Sequence, residues 1–482
     1  MIHENVETFI KRFIGFSIGP AVSAAIGFFM VPVTTRLVVP EEFGKSAMYA
    51  TAYALFTLII YLGTDQSFIR EYSAAPDKSR LLWNCFVPPL LFSVLVSAVV
   101  AVFSDKAAVL LFGSPQPFVI WTLALSLPIA VIHRYNMQLI RMEEKAALYS
   151  GTQILQKLIE LVLLLLLLFF YERSFRSIVL AQAASVLAIG MYVCLRNIEI
   201  WKTKIDIRKE MFRKVLGYGI PLVPSAVFVW CLNMADRVAI RIWSDYHELG
   251  LYSAAFKIVI MLELLKNAFA TFWSPTAYRW YENGVPAEKF RQVGRMLTAV
   301  LALLFGAIVV MKDWIILLLD DSYRDAAVFV PFLLLVPIMY TMAETTKIGI
   351  SFRRKTMFFM PITGLAAAVN FAGNGLLVPR LGALGASLSA GIAFTVYFWA
   401  CTFISGRMWE KFDLRFYFVN TFFMVLLAAA AVFYHHLFIE LAILFGIVIY
   451  NRRQAAALMF RLFEMFGIPR KRNTLLADKG GK

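Results

Sequence analysis

Lys157 and Glu160 stand three residues apart inside an otherwise apolar block, and Glu263 and Lys266 repeat that spacing in a later block, with Lys257 two turns earlier. Positions i and i+3 share a helix face, so each pair can neutralise itself. A Lys or Arg at the centre of an apolar span costs about 2.5–3.5 kcal/mol on insertion scales, so such groups face a bundle interior or an aqueous cavity. Two chemistries follow. The pairs either fix helix packing as buried ion pairs, or they line a mainly cationic cavity for an anionic substrate or a coupling ion.

A second set lies at the ends of apolar blocks: Arg36, Arg70, Asp236 and Arg237, with Asp65 five residues before Arg70. A terminal Arg commonly snorkels to lipid phosphates. A guanidinium also suits a phosphate partner, because its planar fork binds two oxygens at once. Asp236 adjoins Arg237 and can pair with it or with another helix. Asp65 and Arg70 are expected at the cytoplasmic mouth of a cavity. Glu160, Glu263 and Asp236 are candidates for carrying a proton or sodium ion, since a carboxylate in low dielectric shifts into a useful titration range.

Other chemistries lack their residues. The sequence has no phosphate-cradling glycine loop ending in Lys-Ser/Thr, no His-Glu-x-x-His and no nucleophile elbow. Catalytic residues are not assigned. The five histidines sit at tails or block ends, His435-His436 included, and no metal site is expected. Cys85, Cys194, Cys231 and Cys401 fall in or beside apolar blocks and read as packing residues, without disulfide or metal spacing. No cofactor is implied.

The elements that must position these charges follow from composition. Of 482 residues 60% are apolar and only 16% charged, against about 45–50% and a quarter in a water-soluble domain. The excess comes in about fourteen blocks, most of them long enough to cross a hydrocarbon layer of ~30 Å. The remaining residues form short loops and tails, so no soluble catalytic or binding domain fits. The fold class expected is an all-α polytopic membrane protein. The net charge of +16 then reflects Lys and Arg concentrated in cytoplasmic loops, not a nucleic-acid surface. Most of the 47 basic residues face inward if both termini are cytoplasmic. The richest inward segment runs from Arg196 to Lys214.

An internal repeat divides the blocks. Pro20 precedes Arg36 by sixteen residues, and Pro40-Glu41-Glu42-Phe43-Gly44 follows; Pro221 precedes Arg237 by sixteen, and Tyr246-His247-Glu248-Leu249-Gly250 follows. Leu127-Pro128-Ile129 before Glu143-Glu144-Lys145 is likewise echoed by Val336-Pro337-Ile338 before Arg353-Arg354-Lys355. In the second echo's register Glu160 aligns with Asn370. The implied organisation is a six-helix lobe over 1–195, a basic cytoplasmic linker over 196–214, a second six-helix lobe over 215–406, a helix pair over 407–450 and a basic tail over 451–482. An even number of spans per copy relates the lobes by an axis along the membrane normal.

Thr35-Arg36 followed by Pro40 to Gly44, Asp65 and Arg70 after the second block, Asp236-Arg237, and Glu248-Leu249-Gly250-Leu251-Tyr252-Ser253-Ala254-Ala255 with Lys257 together resemble the polysaccharide (Wzx-type) flippases of the multidrug/oligosaccharidyl-lipid/polysaccharide exporter superfamily. The resemblance covers nearly the whole chain. It implies a flippase that moves an undecaprenyl-diphosphate-linked oligosaccharide across the bacterial inner membrane by alternating access, with a polysaccharide polymerase and its chain-length machinery as partners. Arg36, Arg237 and Lys257 are then the first diphosphate contacts, and Lys157 and Lys266 the second. Two further hypotheses stand beside this one. A cation-coupled drug or metabolite exporter of the same superfamily would use Glu160, Glu263 and Asp236 to bind cargo. A membrane polysaccharide polymerase or ligase would need a sizeable outward loop, and every outward loop here is short.

Overall fold

The computed structural model describes residues 6–465 apart from Ile260 and Arg354. Residues 466–482 of the expected basic tail lie outside them, as does Arg354 of the repeated basic cluster. Among the described residues every regular element is a helix. The chain begins with α1 (Val6–Leu37), α2 (Pro40–Ile60), α3 (Thr64–Tyr72), α4 (Lys78–Val102), α5 (Ser104–Phe112), α6 (Pro117–Met142), α7 (Ala146–Phe170) and α8 (Phe175–Arg196). It continues through α9 (Ile198–Trp201), α10 (Lys209–Gly219), α11 (Leu222–Trp243), α12 (Tyr246–Val259), α13 (Met261–Glu282) and α14 (Ala287–Val310). After α15 (Lys312–Ile316) and a 3-10 turn over Asp321–Val328 come α16 (Val330–Thr346), α17 (Ile348–Phe352), α18 (Phe359–Met408), α19 (Leu414–Phe433) and α20 (Leu437–Met465).

Local chemistry sets these boundaries. Asp77 accepts a hydrogen bond from the Arg80 backbone N–H at 3.0 Å and caps α4, and Ser174 caps α8 in the same manner. Pro40 and Pro117 occupy first positions of α2 and α6, where a missing N–H costs nothing. The fifty residues of α18 would run for about 75 Å if continuous, more than twice the hydrocarbon thickness. The helix breaks at Gly382, whose φ is +54°. A Cβ there would lie 1.7 Å from Glu248 Oε2, and that carboxylate accepts a hydrogen bond from the Ala383 N–H at 2.6 Å. Glu248 of the repeated motif thereby caps the second half of α18.

Among the described residues eleven helices are long and apolar enough to cross a membrane, α18 counted once. This is a polytopic helical membrane protein. The blocks expected at 250–272 and 437–450 form helices that fall short of that measure. Glu263, Lys266 and Arg279 interrupt α13, and Glu440, Arg452 and Arg453 interrupt α20. Fourteen crossings therefore stay an expectation.

Packing groups the chain into two compact units, one of residues 1–265, 313–333 and 363–393, the other of 266–312, 334–362 and 394–482. This grouping is by contact, whereas the lobes over 1–195 and 215–406 are read from sequence repetition, and neither decides the other. In the first unit the core is an aromatic cluster in which Phe68, Phe86 and Tyr135 meet edge to face. The repeat-matched glycines meet each other there. A Cβ on Gly44 would fall 2.1 Å from the Tyr246 carbonyl oxygen, and one on Gly250 1.8 Å from that of Pro40. Only glycine permits this backbone approach of α2 and α12. In the second unit α14 packs on α19 and α20. Lys312 there pairs with Glu440 at 3.0 Å, both almost wholly buried.

Candidate functional site

One face of α7 is apolar and exposed, through Leu155, Leu158, Val162, Leu166 and Phe169, as a lipid-facing stripe should be. The opposite face carries Gln153, Gln156, Lys157 and Glu160, at i, i+3, i+4 and i+7. Lys157 Nζ donates to both carboxylate oxygens of Glu160, at 2.9 and 2.8 Å. The one-turn pair thus neutralises itself. This face borders an open cavity of about 380 Å³, lined also by α1, α2, α6 and α8 through Ser23, Tyr53, His133 and Gln182. Among the described residues Ser23 Oγ, His133 Nε2 and Gln153 Oε1 are buried without a hydrogen-bond partner.

The other embedded cations have different surroundings. Lys257, on α12, places its ammonium 4.9 Å from the centre of the Phe43 ring on α2. Arg237, on α11, lies over the Phe256 ring at 5.3 Å, and its Nη1 approaches Met234 Sδ at 3.1 Å. A ring face attracts a cation by about 0.5–2 kcal/mol but cancels none of its charge. Among the described residues neither cation has a carboxylate within ion-pair distance. Lys257 is accessible, and it lies within electrostatic range of Lys157, Glu160 and Arg237. Arg36 is exposed at the end of α1. Its field reaches Asp320 outside the spans, whose carboxyl is held below its ordinary value first by the Ser322 backbone N–H and hydroxyl.

Asp236 does not pair with its neighbour Arg237. It is buried, and accepts hydrogen bonds from the Tyr252 hydroxyl at 2.9 Å and from Asn374 Nδ2 at 2.8 Å. Asn374 Nδ2 also reaches Asn370 Oδ1 at 3.3 Å. Asn374 Oδ1 is buried with no hydrogen-bond partner among the described residues. The Asn370 aligned with Glu160 therefore belongs to a carboxylate and carboxamide cluster.

Asp65 and Arg70 lie on the short helix α3 and are not brought together. Asp65 is buried and bound by Arg134, whose Nη2 and Nε donate at 2.7 and 3.1 Å. Arg70 is exposed and stacks on the Tyr218 ring at 4.2 Å. The basic linker is tied down beside them: Ser67 Oγ donates to the Val215 carbonyl at 2.8 Å, Lys214 pairs with Glu71, and Arg80 Nε donates to Asp206 at 2.7 Å. The bond from Arg80 is the largest cause holding the Asp206 carboxyl below its usual range. Glu263 is half-buried in the first turn of α13. Lys266 belongs to the second unit, where it lies over the Tyr340 ring at 4.7 Å, and Lys347 lies over the same ring at 5.0 Å.

Sequence reading missed the residues that complete these sites. Gln153, Gln156 and Gln182 carry no charge and drew no notice, although a polar stripe at helical spacing on α7 was there to be read. Arg134 counted only as a loop cation, and Asn374 had no signal short of the fold.

The family described as polysaccharide biosynthesis protein matches residues 10–279. No curated protein sequence matches the chain. Among solved structures, the lipid II flippase MurJ in an inward closed conformation superposes with a TM-score of 0.70 at 12% identity, covering 92% of this chain and 100% of that one. An inward-facing multidrug resistance MATE transporter gives a TM-score of 0.58 at 13% identity, with 83% and 95% covered. A Vibrio cholerae MATE transporter gives 0.56 at 13%, with 82% and 95% covered. At these identities the likeness is one of fold.

Proposed function

Because the chain belongs to the polysaccharide biosynthesis protein family, we propose that it is a flippase for an undecaprenyl-diphosphate-linked oligosaccharide, the repeat unit of an O-antigen, capsule or exopolysaccharide. The direction is from the cytoplasmic to the periplasmic leaflet of a bacterial inner membrane, with both termini in the cytoplasm and a polysaccharide polymerase and its chain-length machinery acting on the product. It is a transporter and makes or breaks no bond. The observation that carries this reading is the pair of cations Arg237 and Lys257, each on an aromatic face and, among the described residues, neither within ion-pair distance of a carboxylate. A diphosphate brings the negative charge they lack. An ionised head group pays several kcal/mol or more to enter hydrocarbon, and preplaced cations reduce that barrier. The fold it shares with a lipid II flippase supports the same substrate class.

Arg237 and Lys257 hold the diphosphate in this reading, and Arg36 meets it toward the outer side. Lys157 contributes less, because Glu160 already binds it. Lys266, a secondary candidate from the sequence, belongs to the second unit. The lipid tail stays in the bilayer while the two lobes alternate in access. Asp236, with Asn370 and Asn374 beside it, is the leading place for a coupling proton or sodium ion, ahead of Glu160 and Glu263. Counterflow in proteoliposomes with and without an ion gradient tests the coupling, and rates that ignore every gradient would remove it.

Replacing Arg237 or Lys257 by Gln should abolish surface polysaccharide while the protein remains in the membrane at normal level. Normal polymer from such strains would overturn the assignment. A deletion strain that keeps its polysaccharide but becomes sensitive to cationic drugs would move the protein to the exporter branch of the superfamily.

A further inference from the structure

The cavity bordered by the polar face of α7 is unlike the cationic site beside it. Its single Lys is engaged by both oxygens of Glu160, so it offers neither a free cation to a phosphate nor a free carboxylate to a drug amine. Gln153, Gln156 and Gln182 converge there from α7 and α8. A carboxamide both donates and accepts, as does each hydroxyl of a sugar ring. Tyr53 and Tyr61 supply aromatic surface against which the C–H face of a ring can lie. Three polar atoms, Ser23 Oγ, His133 Nε2 and Gln153 Oε1, are buried with no hydrogen-bond partner among the described residues. Buried polar groups are normally satisfied, so unspent capacity around one cavity points to a polar occupant. The volume of about 380 Å³ lies at the small end of ligand sites and is enough for one hydrated sugar ring.

We propose that this cavity binds one uncharged sugar ring, the residue attached directly to the diphosphate, through Gln153, Gln156 and Gln182. The identity of the occupant rests on the lipid-linked glycan reading; the preference for a neutral polyhydroxylated ring rests on the cavity itself. Location agrees with it. Lys257 lies within electrostatic range of Lys157 and Glu160, which border the cavity, and it packs on Phe43 of α2, the helix that gives Tyr53 to the same cavity. The pocket is then a specificity element. It reads the first ring, while the rest of the glycan stays outside it.

The test uses the full chain in lipid nanodiscs and three probes: undecaprenyl diphosphate, the same lipid bearing one neutral sugar, and a panel of neutral methyl hexosides and N-acetylhexosaminides with a methyl glucuronide as the acidic contrast. The free glycosides are read by saturation-transfer NMR, and the best of them is placed on the lipid. The wild type should bind the sugar-bearing lipid about tenfold more tightly than the bare one, the worth of one or two hydrogen bonds. Gln153→Leu and Gln182→Leu should each bring that ratio to within about twofold, leaving affinity for the bare lipid unchanged, whereas Arg237→Gln should weaken both lipids together. If one Leu variant unfolds, the other, on a different helix, carries the same readout. Equal binding of both lipids by the wild type, or a preference that survives in the Leu variants, overturns the pocket. Methyl hexosides that bind and lose their signal in Gln153→Leu, with neither lipid bound, keep the pocket and overturn the lipid-linked reading. Silence from every probe overturns both.

Discussion

Two polar regions lie inside the first compact unit, and they solve the same problem in opposite ways. On α7 a cation has its carboxylate one turn away, at 2.8 Å. On α11 and α12 the cations lie over ring faces, at 5.3 and 4.9 Å, with no ion-pair partner among the described residues, while the nearby carboxylate of Asp236 is taken up by Tyr252 and Asn374. The first arrangement is neutral and demands nothing of a ligand but hydrogen bonds. The second holds positive charge in an apolar setting, which lowers stability until an anion arrives. A charged residue in an apolar span is thus two different signals, told apart by where its partner stands.

The contrast can be broken at its supports first. Gly250→Ala should be the most damaging change, because its Cβ would lie 1.8 Å from the Pro40 carbonyl oxygen and push α2 from α12. Overpacking of this kind costs about 1–3 kcal/mol and more against backbone. Gly151→Ala on α7 meets nothing within 4 Å and should be neutral or stabilising by up to about 1 kcal/mol. Thermal unfolding in detergent should separate the two variants widely.

Next come the cations themselves, for which opposite signs are expected. Lys157→Met strands Glu160 and should destabilise by about 1–3 kcal/mol, less than a fully buried pair because a third of the Lys157 side chain is exposed. The double variant with Glu160→Gln should recover much of that. Lys257→Met removes an uncompensated charge and should stabilise by about 1 kcal/mol while transport is lost. A Lys257→Met protein less stable than the wild type would show a partner for that ammonium and erase the distinction.

A smaller effect lies outside both regions. The Asp206 carboxyl is held low in the folded protein by Arg80. Its contribution is therefore present at neutral pH and fades as pH falls through the lowered value, beneath the ordinary carboxylate range. Asp206→Asn should make residues 202–208 modestly easier for trypsin to cut at neutral pH, with transport unchanged. Equal cutting rates would mean the linker is held by its other contacts, Trp83 Nε1 to Thr203 Oγ1 and Asn84 Nδ2 to the Asp206 carbonyl.

Much of this was legible in the residues, for physical reasons that also mark the limit. Apolar length announces a membrane helix without help from tertiary structure, so α1, α4 and α7 stand where the blocks predicted. The break in α18 was expected between blocks at 378 and 383, but its cause was not, since Glu248 is distant in sequence from Gly382. The Lys157–Glu160 pair could be read because one turn of helix makes it. Asp65–Arg134 and Asp236–Asn374 are made by packing across 69 and 138 residues, and nothing local encodes them. The glutamines of α7 carry no formal charge to mark them in an apolar span, and a neutral ligand calls for neutral partners.

The central claim is that Arg237 and Lys257 are positive because the cargo is a diphosphate. The direct measurement is leaflet exchange of a fluorescent undecaprenyl-diphosphate-linked glycan in proteoliposomes, comparing the wild type with Arg237→Gln and Lys257→Gln at matched, correctly folded reconstitution. The account predicts exchange by the wild type and a loss of at least about tenfold in each variant, the effect of removing one charge-assisted contact. Exchange at the wild-type rate in both variants would contradict it.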